Sequence, residues 1–223
     1  MFTNLAFFFE TSKKLRGGKW VWYKDGNGER RGNVLLGGTI LNPKKGFDHL
    51  FAAQLVQYTP AQGCLIFRSF KTKAAVAAAA TTIVIEGDGY SDAPEVGMLI
   101  MAAPQTATGV GQSAKITDVV YDEGEQKFTV TVDTALGALT AGTILVEAAG
   151  NAAAAEANVL VPNPNCFVEA DADLNPTEGY GISNGDYSIA PVWDKIAWIE
   201  RMQPLPAYVL SKNRSYIDGV FWI

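Results

Sequence analysis

The sequence has little of what most catalytic and metal sites are built from. Among its 223 residues it holds one histidine, His49, and two cysteines, Cys64 and Cys166. A histidine-based triad, an imidazole acid/base or a histidine-based metal site would depend on His49 alone. We expect His49 to be a surface or interface residue. We therefore expect a protein that is not an enzyme and that has no catalytic residues, no metal and no cofactor.

Long apolar runs are also missing, and so is a disulfide framework. No run approaches the roughly 18–20 residues that a membrane span requires. The first residues are apolar and then basic, which is the reverse of a secretory signal peptide. Two lone cysteines without a CxxC motif favour buried free thiols over a bridge. We expect a soluble protein that is not exported and has no membrane partner.

Charge is present in quantity but is divided unevenly along the chain. Residues 1–75 contain twelve Lys/Arg and four Asp/Glu, a net charge of +8, whereas residues 76–223 contain six and nineteen, a net charge of −13. Such an asymmetry is typical of a chain whose parts have different partners. The basic third is expected to seek an acidic surface, and the acidic remainder to favour solubility.

Aromatic residues accompany the bases in this first third. Three interpretations remain open: docking on another protein, which we favour, a solvated charged face, and nucleic-acid binding with aromatic stacking. Nucleic acid is the least favoured of the three. The candidate partner-binding residues combine aromatic anchors with steering charges, and they are Phe7, Phe8, Phe9, Lys13, Lys14, Arg16, Trp20, Trp22, Arg30 and Arg31.

Hydrophobic patterning predicts a mainly β chain with three parts. Residues 1–73 form an extended basic docking arm, with a hairpin around Asp25–Gly28, a short helix over 47–58 ended by Pro60, and a strand over 64–70. Residues 74–150 form a small antiparallel β-barrel or sandwich of short β-branched runs bounded by turn residues. Residues 151–223 form a proline-rich extended β segment that packs back on the base. Its predicted strands cover 186–192 and 195–201.

Two weaker patterns favour ordinary structure over chemistry. Glu169, Asp171 and Asp173 alternate and would share one face of a strand, but they lack the glycine and distal glutamate of a calcium loop. A solvated acidic edge is the favoured interpretation. Gly109 and Gly111, like Gly37 and Gly38, are interpreted as turn glycines because no phosphate-loop motif surrounds them.

The middle of the chain resembles a known family. The order of the runs over 80–149, with Val96-Gly97-Met98, Ala114–Thr117 and Ala141–Leu145, is similar to the small β module of head fiber and capsid decoration proteins of tailed phages of Bacteroidales. Pro164–Phe167 and the segment around Met202–Leu205 resemble the later part of those proteins. This chain departs from them at Met98, where an aspartate is usual, and in its aromatic, basic first third.

The resemblance implies a structural role in a virion. It implies a non-enzymatic auxiliary capsid protein, made in the host bacterial cytoplasm and placed on the capsid surface, with the major capsid protein as partner. A homo-oligomer around a capsid axis and contacts with other head fiber proteins are further expectations. Two alternatives stay open: a carbohydrate or host-surface binding module that uses Tyr90 and Tyr121, and a tail-associated structural protein.

Overall fold

The computed structural model describes most of the chain from Gln54 to Val168 and shorter pieces on either side. The described residues are 23–25, 35–36, 40–42, 49–50, 54–59, 61–87, 92–152, 156–168, 172–173, 188–191, 195–197, 202–211 and 221–222. They form eighteen strands and one helical turn: β1 (Tyr23–Asp25), β2 (Leu35–Leu36), β3 (His49–Leu50), β4 (Leu55–Thr59), β5 (Gly63–Ile66), β6 (Ser69–Lys71), β7 (Thr82–Glu86), β8 (Leu99–Ala102), β9 (Val110–Gly111), β10 (Ser113–Asp122), β11 (Lys127–Val132), β12 (Ile144–Glu147), β13 (Ala157–Asn158), β14 (Cys166–Val168), β15 (Ala172–Asp173), β16 (Ser188–Pro191), β17 (Lys195–Ala197), α1 (Ala207–Leu210) and β18 (Phe221–Trp222). The predicted mainly β, antiparallel fold class is confirmed.

The best-defined unit is a six-stranded antiparallel sheet in the order β6-β12-β8-β10-β11-β7. Its two end strands approach each other, since Thr72 and Ile85 form an isolated bridge and the Lys73 N–H donates to the Val84 carbonyl at 2.8 Å. The sheet therefore curls on itself without forming a closed barrel. The strands predicted between residues 82 and 147 are confirmed as β7, β8, β10, β11 and β12.

The inner face of this sheet encloses the first hydrophobic core. In β11, Phe128, Val130 and Val132 are buried, while the alternating Thr129 and Thr131 are partly exposed, as the period of two in the sequence predicts. All six strands contribute to this core, which contains Phe70, Val76, Ile83, Ile85, Met98, Ile100, Ala114, Ile116, Phe128, Val130, Val132, Leu136, Leu139 and Leu145.

A second core covers part of the outer face of the same sheet. Strands β8 and β12 contribute Met101 and Val146 to it, and the five-stranded sheet β2-β16-β14-β4-β5 contributes Leu55 and Phe167. The segments 157–161 and 202–209 complete it, with Tyr208 of α1 only 1% exposed. The cores tie the two sheets together.

The opposite face of the five-stranded sheet carries both cysteines in a third, smaller core. Cys64 of β5 and Cys166 of β14 are buried free thiols next to Val56, Ile66 and Val168. The prediction of free thiols is confirmed for both residues. Burial, with a smaller contribution from Cys64, raises the pKa of Cys166 to about 12.

The predicted helix over 47–58 is wrong. His49–Leu50 is strand β3, paired with β15, and Leu55–Thr59 is strand β4, which lies between β14 and β5. A strand buried on both faces explains this difference, because consecutive Leu55 and Val56 face two different cores. β4 and β5 form a hairpin, in which the Gln62 N–H donates to the Thr59 carbonyl at 3.0 Å.

The hairpin predicted around Asp25–Gly28 stays a prediction, because residues 26–34 lie outside the described residues. Of the described strands on either side, β1 pairs with β17 and β2 pairs with β16. One further prediction from the first third needs correction. The strand predicted over 64–70 is two strands, β5 and β6, with Phe67 and Arg68 between them.

Strand pairing crosses the limits of the predicted domains. The domain ranges themselves stay predictions. β6 belongs to the first range but pairs with β12 of the second. The predicted C-terminal strands are confirmed in shorter form as β16 and β17. Among the described residues no helix has the length and apolar character of a membrane span.

Candidate functional site

The ten predicted partner-binding residues fall outside the part of the chain that the structure describes. This is true of Phe7, Phe8, Phe9, Lys13, Lys14, Arg16, Trp20, Trp22, Arg30 and Arg31. Their role in binding a partner therefore stays a prediction.

The single histidine and one of the three alternating acidic residues lie in the paired strands β3 and β15. His49 is opposite Asp173 in the register of this short antiparallel pair, and Glu169 and Asp171 lie outside the described residues. Over the described ranges, no group of three or more His, Cys, Asp or Glu side chains is arranged to hold a metal ion.

One sequence motif bears on the expectation of a non-enzymatic protein. Residues 181–185 read Gly-Ile-Ser-Asn-Gly, which is the GxSxG spacing of hydrolase nucleophile elbows, and they lie outside the described residues. A nucleophile elbow requires a strand-to-helix turn in an α/β sheet and a histidine partner. The described part of this chain is β-rich with one helical turn.

The acidic character of the second part is visible on the described surface of the six-stranded sheet. Three of its lysines are engaged: Lys71 lies 3.2 Å from Glu86, Lys73 donates to the Glu125 carbonyl at 2.7 Å, and Lys127 contacts Glu125 and Asp122. The hydrogen bond that Lys127 donates to the Glu125 carboxylate raises the pKa of Lys127. Further acidic residues, Asp118, Glu123 and Asp133, are exposed. The outward surface is thus anionic.

The outer face of β7, β11 and β10 is partly open and carries small β-branched residues. Cross-strand neighbours form one row of Val84, Thr129 and Val120, and Val120 is 57% exposed. In the neighbouring rows of this face, Asp118 lies opposite Thr131 and Asp122 lies opposite Lys127. This face differs from the outer face of β8 and β12, which the second core covers.

Tyr121, a candidate for glycan binding, is partly buried on β10. Its ring lies 4.7 Å from that of Phe128, tilted by 40°, and it packs against the first core. Burial raises the pKa of Tyr121, and nearby Glu123 and Asp122 raise it further. Tyr90 lies outside the described residues.

A buried polar cluster joins the N-terminal third to the six-stranded sheet, and sequence reasoning did not find it. We call it the polar junction; its central residues are Asn42, Arg68 and Glu147. Arg68 is 4% exposed, its Nη1 lies 3.6 Å from Glu147 Oε2, and its Nη2 donates to the Asn42 carbonyl at 2.6 Å. The signal in the sequence was a charge inside an apolar run, in 64–70 and again in 144–149.

Comparisons with known proteins identify no family for this chain. No known family profile matches it, and no curated protein matches it. Among solved structures, the phage phi92 endosialidase is similar over 51% of this chain at 16% sequence identity, with a TM-score of 0.23. This chain spans 18% of that protein. A likeness at this level carries no argument about function.

Proposed function

We propose that this chain is a non-enzymatic structural protein of a tailed-phage virion, a head fiber or decoration protein that binds the capsid through its basic N-terminal third. The observation on which the proposal depends is the opposition of charge: +8 over residues 1–75 and −13 over residues 76–223. A basic docking region favours association with an acidic shell, while the anionic remainder projects into solvent and favours solubility.

The described fold supports a role in assembly. Three hydrophobic cores and two large sheets connect the first, middle and last thirds of the chain. A capsid-bound protein needs such rigidity, because force on the projecting part has to be borne by the part that is docked. The resemblance of residues 80–149 to head fiber and decoration proteins also supports the proposal. The apolar runs that carry this resemblance form strands of the six-stranded sheet.

Binding to purified capsids tests the proposal. We expect the wild-type chain to co-sediment with capsids, and we expect charge reversal at Lys13, Lys14, Arg30 and Arg31 to abolish most of this binding. Raising the salt concentration should also weaken binding of the wild-type chain, because salt shortens the Debye length and screens the attraction between exposed charges.

The matched control is Lys115→Glu, a reversal of an exposed lysine on β10. It should leave capsid binding unchanged. Equal loss of binding in this control and in the N-terminal variant would contradict docking through the basic third. Binding to immobilised glycans without binding to capsids would favour the host-surface module instead.

A further inference from the structure

The outer edge of β5 is covered by the short segment 40–42. Strand β5 is the last strand of the five-stranded sheet, and its partner within that sheet is β4. Ile40 forms an isolated parallel bridge with Cys64, and the Leu41 N–H donates to the Cys64 carbonyl at 2.8 Å. An unpaired strand edge is a template for pairing with another chain. Segment 40–42 occupies this template at Cys64.

The side chain of Asn42 extends this pairing to Ile66. Asn42 Oδ1 accepts from the Ile66 N–H at 2.7 Å, and Asn42 Nδ2 donates to the Ile66 carbonyl at 2.8 Å. In a parallel ladder the residue after Asn42 would supply the donor to Ile66, but that residue is Pro43, which has no N–H. The amide group of Asn42 thus takes the place of a peptide group of a neighbouring strand.

Asn42 is itself held by two charged side chains of the polar junction. Arg68 Nη2 donates to the Asn42 carbonyl at 2.6 Å, and Asn42 Nδ2 also donates to Glu147 Oε2 of β12 at 3.1 Å. Arg68 Nη1 lies 3.6 Å from the same carboxylate oxygen. Because only the NH₂ end of the amide can donate to a carboxylate, these contacts fix which end faces each backbone group of Ile66.

A second asparagine makes the same pair of hydrogen bonds at an inner position of the sheet. Asn165 Oδ1 accepts from the Tyr58 N–H at 2.7 Å, and Asn165 Nδ2 donates to the Tyr58 carbonyl at 3.0 Å. Here too a proline, Pro164, is the neighbour in sequence and has no N–H to donate. Asn165 directly precedes β14 and bonds to β4, its partner in the sheet, whereas Asn42 lies at the sheet edge.

We propose that segment 40–42 is an edge cap, fastened by Asn42, that keeps β5 from pairing with a strand of a second copy of this chain. This inference goes beyond the proposed function and does not depend on it. With the cap in place, the Cys64 carbonyl and both backbone polar groups of Ile66 already have partners. Without the Asn42 amide, the N–H and C=O of Ile66 lie open at the edge, beside Leu41, which is 46% exposed. Such an edge favours strand addition.

Sedimentation velocity over a range of protein concentrations tests the cap. Asn42→Ala removes both hydrogen bonds to Ile66, so we expect this variant to form larger species than the wild type, in a proportion that grows with concentration. Asn165→Ala is the matched control, because it removes the same pair of bonds at an inner position. It should lose stability without this association. Asn158→Ala, at an exposed asparagine of β13, should sediment as the wild type does.

Either of two results would overturn the proposal. If Asn42→Ala sediments as the wild type does at every concentration, the edge of β5 needs no cap. If Asn42→Ala and Asn165→Ala associate equally, the cause is their loss of stability and not an open strand edge.

Hydrogen exchange followed by NMR is a second measurement, and it also works on the wild-type chain. The Ile66 amide proton should be protected there, although Ile66 lies at a sheet edge. In Asn42→Ala its exchange should become roughly two- to tenfold faster. Exchange at Phe67 should change less, since its N–H donates inward to the Leu55 carbonyl at 2.9 Å. A wild-type Ile66 amide that exchanges as fast as in an unfolded peptide would overturn the proposal, whether or not Asn42→Ala folds.

Discussion

Ile100 and Met101 are consecutive residues of β8, both are fully buried, and their side chains belong to two different hydrophobic cores. Ile100 faces the inside of the curled six-stranded sheet, while Met101 faces the layer formed by the five-stranded sheet and α1. Successive side chains of a strand point to opposite faces, so β8 is a strand covered on both sides. Hydrophobic cores therefore stabilise the sheet on both of its faces at β8.

This arrangement predicts two separable losses of stability. Ile100→Val should lower the free energy of unfolding by about 0.5–1.5 kcal/mol and Met101→Ala by about 2–5 kcal/mol, because each opens a cavity in its own core. Since the two cores are distinct, the double variant should lose approximately the sum, with a coupling of less than about 0.5 kcal/mol. Urea denaturation followed by fluorescence provides the measurement.

The control for this pair is Val120→Ala. Val120 is 57% exposed on the outer face of β10, so its truncation should change the free energy of unfolding by less than about 0.5 kcal/mol. A loss at Val120 as large as that at Met101 would contradict the assignment of the outer core to the β8 and β12 side of the sheet.

The two thiols should be inert in the folded protein. Cys64 and Cys166 are buried, and burial raises the pKa of Cys166 to about 12, so the reactive thiolate is scarce at pH 8. A water-soluble thiol reagent should label neither residue in native protein and should label both in denaturant. Rapid stoichiometric labelling without denaturant would contradict the position of both cysteines in the third core.

Gly137 is expected to resist substitution for a backbone reason alone. Its φ is +84° and no atom lies within 4 Å of the position that an added methyl group would take, so strain and not crowding decides the outcome. Gly137→Ala should destabilise the protein by about 1–2 kcal/mol, and Gly137→Asn should cost less. Gly150→Ala is the matched control, since that site is equally open and has no left-handed φ. Equal effects at both sites would contradict the turn conformation at 137.

Tyr208 should stabilise the protein through packing far more than through its hydroxyl group. The hydroxyl donates to the Val161 carbonyl at 3.4 Å, which is long for such a bond. Tyr208→Phe should therefore cost no more than about 1 kcal/mol. Tyr208→Ala should cost about 3–5 kcal/mol, because the side chain is 1% exposed in the second core. Thermal unfolding of the two variants provides the measurement. A larger loss of stability for Tyr208→Phe than for Tyr208→Ala would contradict the dominance of packing.

The sequence predicts the middle of the fold well and the ends of it poorly, for a physical reason. Strand β11 shows a strict alternation between Phe128 and Val132, and turn residues bound the strands of its sheet, so local pattern and tertiary environment agree. In β4 the local pattern and the tertiary environment disagree. Leu55 and Val56 are both buried in a strand, whereas the spacing of apolar residues over 47–58 is typical of a helix.

Long-range pairing was beyond the sequence as well. Strand β1 pairs with the distant β17, with Tyr23 opposite Ala197, and no local pattern of residues indicates this pairing. Nothing in Arg68 or Glu147 announces that their charges meet in a buried junction, since the choice of partner is made by the fold. The predicted docking residues lie outside the described part, so their role stays a prediction.

The most direct measurement of the proposed virion role is cryo-electron microscopy of purified virions, with a search of the map for this chain. We expect density for the six-stranded sheet on the outside of the capsid, with the basic N-terminal third against the major capsid protein. Virions that lack this chain, or that hold it with its acidic sheet against the shell and its basic third in solvent, would contradict the account.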